Sequence, residues 1–287
     1  MKIKAFKLNS FAKKSGGGNP AGIVLEADFL SDEEMKRIAE KLGFSETAFI
    51  SKSNLADFKL RFFTPNDEVN LCGHATVGSF FTLFKQGIIA SGVYTQEVKA
   101  GILEIEVNQD GIVTMEQNCP TYYDILNNEE ITGSLSIGTN EIIEELPIQI
   151  VSTGLKDIII PVKSLDIINK ISPNLDRIKH ISKKYGVIGY HVFTLETLHN
   201  ASAHCRNFAP LYGINEESAT GTSNGALACY LYKYGKVKDM ENIVMEQGYS
   251  MNRPSEIHVK LSSENDKIKK VMVGGKALDL QEIEVEL

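Results

Sequence analysis

The chain has little that would tie it to a membrane, an oxidising compartment or a nucleic acid. No stretch of its 287 residues approaches the ~20 consecutive apolar residues of a membrane-spanning helix. The opening Met1-Lys2-Ile3-Lys4-Ala5-Phe6 carries no apolar signal run. Four cysteines, Cys72, Cys119, Cys205 and Cys229, are widely spaced with no C-x-x-C pair, which suits a reducing compartment better than a disulfide framework. Basic residues are outnumbered, 30 Lys and Arg against 37 Asp and Glu, for a net charge of −7 and a pI near 5.5. That balance argues against nucleic acid or an anionic membrane as the partner. Gly16-Gly17-Gly18 lacks both the P-loop and the dinucleotide-binding pattern, and reads as a flexible loop leading to Asn19-Pro20. His199, His204 and Cys205 have no fourth ligand at matching spacing, so neither a metal nor a cofactor is expected. What the chain does have is a 43% hydrophobic composition, enough for one large domain or two smaller ones. The expectation is a cytoplasmic globular protein with a small-molecule partner.

Local patterns supply the elements. Ser31 with Glu34 forms a capping box ahead of Met35, Ile38, Ala39 and Leu42, and Gly43 is placed to stop the helix. Residues 174–185 read as a second helix. Strand-like runs are expected near 3–8, 22–26, 44–50, 58–63, 102–107 and 112–116. After a loop-rich stretch at 124–147, others follow near 148–152, 157–162, 190–196, 200–207, 243–247, 256–261 and 271–274.

The chain also repeats itself. Arg61-Phe62-Phe63-Thr64-Pro65 and Arg206-Asn207-Phe208-Ala209-Pro210 share R-x-F-x-P at an offset of 145 residues. Downstream, CGHATVGSFFTLFKQG (72–87) lies against TGTSNGALACYLYKYG (220–235) at an offset of 148 residues. No Asp, Glu, Lys or Arg falls between 69 and 84 or between 218 and 232. A helix without charge on any face must be buried on all of them, and a sheet wrapped around one central helix meets that demand. Each such helix starts with small residues, so its first amides are unshielded, and two lobes facing one cleft would offer it two positive helix ends for a carboxylate. The reading is α+β with two pseudo-symmetric lobes, 1–123 and 124–287, the last strand free to return to the first lobe.

Candidate chemistry gathers near these helix starts. If 43–50 is a strand, Glu46 shares a face with Phe44, Ala48 and Ile50, where an apolar setting would raise its pKa toward that of a general acid or base. His74 sits where a helix N-terminus keeps imidazole neutral and able to relay a proton. Glu216-Glu217 precedes the second helix start. Gly221-Thr222-Ser223-Asn224-Gly225 matches G-x-S-x-G, with Asp239 and His258 in hydrolase order, but residues 213–220 lack the buried apolar strand that motif requires.

The segments GGNPAGIVL (17–25), LGFSETAFI (42–50), RFFTPNDEVNLCGHAT (61–76), FAPLYGINEESATGTSNGALACYL (208–231), EQGYSMNRPS (246–255) and VGGKAL (273–278) occur in this order. Together they resemble the phenazine-biosynthesis-like isomerase family, which shares the diaminopimelate epimerase fold. The resemblance implies two α+β lobes, each a mostly antiparallel sheet around a central apolar helix, a cofactor-independent site between them, and a homodimer. It implies that Glu46, of S-E-T-A, is the catalytic acid/base and that His74, of C-G-H-A-T, assists it. Amides around Gly73 and Gly221 would hold a substrate carboxylate. The family's D-P-A-T-G-S reads Glu217-Ser218-Ala219-Thr220-Gly221-Thr222 here; Glu217 keeps the carboxylate and Thr222 the hydroxyl, and both join the catalytic candidates. Asn19 and Ser223 complete the substrate-binding set. The function implied is an isomerase moving a proton on a small carboxylate-bearing metabolite. Alternatives are a two-thiol epimerase of the same fold, in which Cys72 would need a cysteine where Thr220 stands, a serine hydrolase through Ser223, and a non-catalytic binder.

Overall fold

The structure, a computed structural model, describes Met1–Leu287 and resolves into two compact units. The first comprises Met1–Glu116 with Gly274–Leu287, and the second Gln117–Val273. The units part seven residues ahead of the expected 123/124 division, and the segment from Gly274 returns to the first unit.

In the first unit the elements run β1 (Lys2–Ser10), β2 (Asn19–Val24), α1 (Asp32–Leu42), β3 (Thr47–Ser51), β4 (Phe58–Phe63), β5 (Glu68–Val69), α2 (Gly73–Lys85), β6 (Gly92–Val98), β7 (Gly101–Val107) and β8 (Val113–Gln117). β1 lies between β2 and the C-terminal strand Ala277–Glu286, antiparallel to both. From there β2 pairs parallel with β3, β3 antiparallel with β4, and β4 parallel with β6 while also folding back on β5. Ser31 caps α1 with the full reciprocal box to Glu34, and Gly43 ends the helix at φ 67°. The apolar stripe Met35, Ile38 and Ala39 packs on Ile3, Ala5, Val24, Phe49 and Phe63. The opposite face of the sheet carries α2, which meets β1, β2, β3, β7 and the C-terminal strand. Ten of its thirteen residues, His74 to Leu83, are buried.

The second unit continues with β9 (Thr121–Ile125), α3 (Asn128–Leu135), β10 (Gln149–Ser152), β11 (Lys156–Pro161), α4 (Leu165–Lys170), α5 (Leu175–Tyr185), β12 (Gly189–Thr194), β13 (Ala203–Ala209), β14 (Ile214–Glu217), α6 (Gly221–Lys233), β15 (Ile243–Gln247), β16 (Ser255–Glu264) and β17 (Lys267–Gly275). Its pairing repeats that of the first unit. β11 runs parallel to β12, β12 antiparallel to β13, and β13 parallel to β15 while folding back on β14. α6 packs on β10, β11, β12 and β16, with Ser223 to Leu231 buried. Helices α3, α4 and α5 cover the other face through Ile131, Leu135, Ile168, Ile178 and Ile181 on Ile158, Ile160, Val192 and Phe208. This is the α+β class expected, a sheet around a central uncharged helix in each unit. No helix is long and apolar enough to cross a membrane.

The internal repeat extends to side chains. Arg61 forks onto Glu68 with Nε and Nη2 both at 2.8 Å, and stacks over Phe63 at 5.0 Å. Arg206 forks onto Glu216 at 2.8 and 2.9 Å, and stacks over Phe208 at 5.0 Å. In each case R-x-F places the guanidinium on the same strand face as the ring, and the carboxylate comes from the short strand folding back. Each central helix also has one glycine where the sheet approaches closely. A Cβ on Gly78 would stand 2.9 Å from Leu8 and one on Gly225 2.9 Å from Val273.

Several expectations need correction. The run 44–50 begins as a strand only at Thr47, and Thr47 to Ile50 are all buried, with no alternation, because helices cover both faces of the sheet. Glu46 therefore precedes the strand rather than lying on one of its faces. The loop-rich 124–147 contains α3, capped by Asn127. Strand β6 and the C-terminal strand carry exposed apolar residues or alternating charge and were not expected. The loop at Gly16–Gly18 is latched, since Asp279 accepts the Gly16 amide at 2.8 Å and the Ser15 hydroxyl at 2.7 Å.

Candidate active site

In the first unit the turn after α1 carries Glu46 to the start of α2. Its Oε2 lies 3.3 Å from His74 Nε2. That oxygen is buried and has no hydrogen-bond partner, while about a fifth of the side chain as a whole stays exposed, at 20%. His74 is 7% exposed. Its ring Nδ1 lies 3.4 Å from Asn19 Nδ2 and 3.4 Å from Cys72 Sγ. Asn19 reaches it because β2 begins there. With the Asn19 amide donating to Nδ1, the ring proton sits on Nε2, on the Glu46 side but without a hydrogen bond to Oε2. Burial, opposed by the Glu46 charge, holds the imidazole pKa below its ordinary value. The ring is therefore neutral, as expected, although burial supplies the leading cause.

Cys72 is the N-cap of α2 and Thr220 the N-cap of α6. Both have extended backbones, at φ −141° and −127°, and neither caps its helix with its side chain. The first turns at Gly73 and Gly221 thus present amides that no side chain covers.

The start of α6 is held by a buried polar chain. Glu217 Oε2 accepts the Thr220 hydroxyl at 2.8 Å. Gln247 Nε2 donates to the Glu217 carbonyl at 2.8 Å, and its Oε1 accepts the Thr220 amide at 3.2 Å and Asn224 Nδ2 at 2.7 Å. Asn224 Oδ1 lies 3.2 Å from His191 Nε2, and Asn207 Nδ2 lies 3.2 Å from His191 Nδ1 and from Ser223 Oγ. Ser223 donates to Asp157 at 2.6 Å. Burial depresses the His191 pKa to about 4, against the pull of Asn224. Burial raises that of Asp157 to about 7, with the Ser223 hydroxyl and the Gly189 amide opposing it.

The candidates divide accordingly. Glu46, His74 and Asn19 come together beside Gly73, and Glu217 and Thr222 stand at the start of α6. Ser223 is a correction: it is 3% exposed, and inside the unit its hydroxyl donates to Asp157 and accepts from Asn207, so its proton is not available to a substrate. The same packing removes the hydrolase alternative, because Asp239 accepts Ser263, His258 faces Glu256, and neither pairs with Ser223. Glu216 is the salt-bridge partner of Arg206. Asp157, His191, Asn207, Asn224 and Gln247 were missed. Their signal was a polar residue inside an otherwise apolar strand or helix, which demands a buried partner.

The model of the family described as "Phenazine biosynthesis-like protein" matches residues 8–282. The chain belongs to this family. It is 35% identical over 278 residues to the uncharacterized isomerase YfhB of Bacillus subtilis, covering 94% of each chain. It is 27% identical over 281 residues to the trans-2,3-dihydro-3-hydroxyanthranilate isomerase of Pseudomonas chlororaphis, covering 93% of this chain and 94% of that one. Among solved structures, a PhzF-family phenazine biosynthesis protein of Bacillus anthracis superposes with a TM-score of 0.91 at 36% identity, covering all of both chains. Family membership makes this protein an isomerase.

Proposed function

We propose that this isomerase moves a proton within a small carboxylate-bearing metabolite by general acid/base catalysis, without a cofactor. The observation that carries the reading is Glu46 Oε2, buried, unpartnered and 3.3 Å from His74 Nε2. An acceptor left without a hydrogen bond is costly, and a substrate C–H or O–H group is the partner that relieves it. Glu46 takes the proton from carbon and returns it elsewhere on the same molecule, one carboxyl serving as base and then as acid. The neutral His74, steadied by Asn19, donates to Glu46 as its charge changes. Amides at the start of α2, around Gly73, hold the substrate carboxylate. The start of α6 at Gly221, with Thr222 and Glu217, offers donors and a proton relay of the same kind. The family member from Pseudomonas chlororaphis makes trans-2,3-dihydro-3-hydroxyanthranilate the first compound to try. Glu217 and Thr222, where the family pattern has Asp and Ser, make a panel of other unsaturated or hydroxylated carboxylates the second.

The test is exchange in deuterated water. Wild type puts solvent deuterium at the carbon that gains a proton, Glu46→Gln does not, and turnover survives exhaustive chelation. Turnover and exchange by Glu46→Gln at near wild-type rates would sink the reading.

A further inference from the structure

The cluster around Glu46 has a second chemical character. Glu46, Cys72 and His74 each offer one ligand atom, and these three atoms lie within 4.8 Å of one another. The His74 Nε2 to Glu46 Oε2 separation is 3.3 Å and the Cys72 Sγ to His74 Nε2 separation is 3.9 Å. Tetrahedral zinc, with ligands at about 2.0–2.3 Å, holds neighbouring donors about 3.3–3.6 Å apart. Two of the triangle's edges therefore match or nearly match the span an ion requires, with only the sulfur needing to draw in. Glu46 Oε2 is buried without a hydrogen bond, so this acceptor is not committed to another donor.

The geometry points to an inhibitory binding site for a thiophilic divalent cation, zinc above all, formed by Glu46 Oε2, Cys72 Sγ and His74 Nε2, with the fourth position left for water or substrate. A thiolate, a carboxylate and a neutral imidazole suit zinc better than magnesium or calcium, which prefer all-oxygen shells. The positive start of α2 disfavours a bare cation, but the two anionic ligands neutralise it. Binding displaces the thiol proton of Cys72. The His74 ring proton moves to Nδ1, where Asn19 meets it by turning its amide oxygen inward. Inhibition rests on the proposed role of Glu46, because a carboxylate ligated to zinc cannot accept a proton from carbon. The binding itself does not rest on that role.

Cobalt(II), which takes zinc sites and reports thiolate ligation by near-ultraviolet charge-transfer absorption, tests the site without any substrate. Wild type and Cys119→Ser, which removes the exposed cysteine, bind one cobalt per chain with that absorption, and zinc displaces it. Cys72→Ser, near-isosteric and checked for folding by circular dichroism, loses the band. Glu46→Gln keeps the band but binds more weakly by roughly 100-fold, since even outer partners of a metal site are worth about 10–100-fold in affinity. Absence of stoichiometric binding, a band that survives Cys72→Ser, or one that disappears in Cys119→Ser would overturn the site. Once a substrate is in hand, zinc slows wild-type turnover far more than that of Cys72→Ser; equal inhibition overturns the inhibitory role. Absence of deuterium exchange with an intact cobalt band would instead strike at the proposed reaction and leave the metal site standing.

Discussion

His74 Nε2 faces Glu46 Oε2 across 3.3 Å, a meeting between the first turn of a buried helix and the turn that precedes a buried strand. The consequence is a carboxylate whose surroundings tolerate its neutral isostere. Glu46→Gln keeps the shape and removes a partly buried charge, so its urea midpoint should equal or exceed that of wild type. Its rate should fall by roughly 10²–10⁴, the general-base contribution. A large loss of stability in place of a loss of rate would make Glu46 a structural residue.

Cys72 occupies the N-cap position of α2 and touches His74 but has no assigned proton to move. Cys72→Ser should lower turnover by less than about tenfold, under ~1.4 kcal/mol of barrier. Its counterpart Thr220 cannot serve as a second thiol, so two-thiol epimerisation has no second base. A collapse of turnover in a folded Cys72→Ser protein would restore the thiol mechanism.

Asp157 is the interior end of the polar chain, 1% exposed, with a pKa raised by burial to about 7. The folded protein therefore holds a proton there that the unfolded chain releases at an ordinary carboxylate pKa. Stability from this group is fully present below about 4 and is lost as pH rises through about 7. Asp157→Asn keeps an acceptor for Ser223 and removes the titration. Its stability relative to wild type should rise by roughly 2–4 kcal/mol between pH 5 and pH 8. A difference in urea midpoints that does not change with pH would refute this account.

The repeated arginines should differ in worth. Arg206 is 8% exposed and also donates to the carbonyls of Ile168 and Ile171 at 3.1 Å each. Arg61 has a side chain 21% exposed, and its second partner, Asp32, is 73% exposed. Its pull nonetheless holds the Glu68 carboxyl below the usual range, with Lys99 adding to it. Arg206→Met should cost about 3–5 kcal/mol, because it breaks a largely buried ion pair and leaves the Ile168 and Ile171 carbonyls without their donor. Arg61→Met should cost less. Equal losses in denaturant titrations would show that burial does not set the value of these forks.

What the sequence alone determined was whatever depends on local chemistry or on its own repetition. Ser31 and Glu34 sufficed for the start of α1, because a capping box closes within one turn. The uncharged runs at 72–84 and 220–232 required central helices, because a segment without a polar face has to be covered on every side. The ordered motifs were enough for the family. Tertiary structure decided what depends on neighbours distant in sequence. Strand β3 hides its period because helices bury both faces, which displaced Glu46 from the strand where alternation would have put it. Ser223 looks like a site residue until Asp157, from another strand, claims its hydroxyl. The pairs Arg61–Glu68 and Arg206–Glu216 form only when a short strand folds back, and the buried chain from Gln247 to Asp157 draws on five separate elements. Burial makes each of these polar groups find a partner, but only the fold brings that partner within reach.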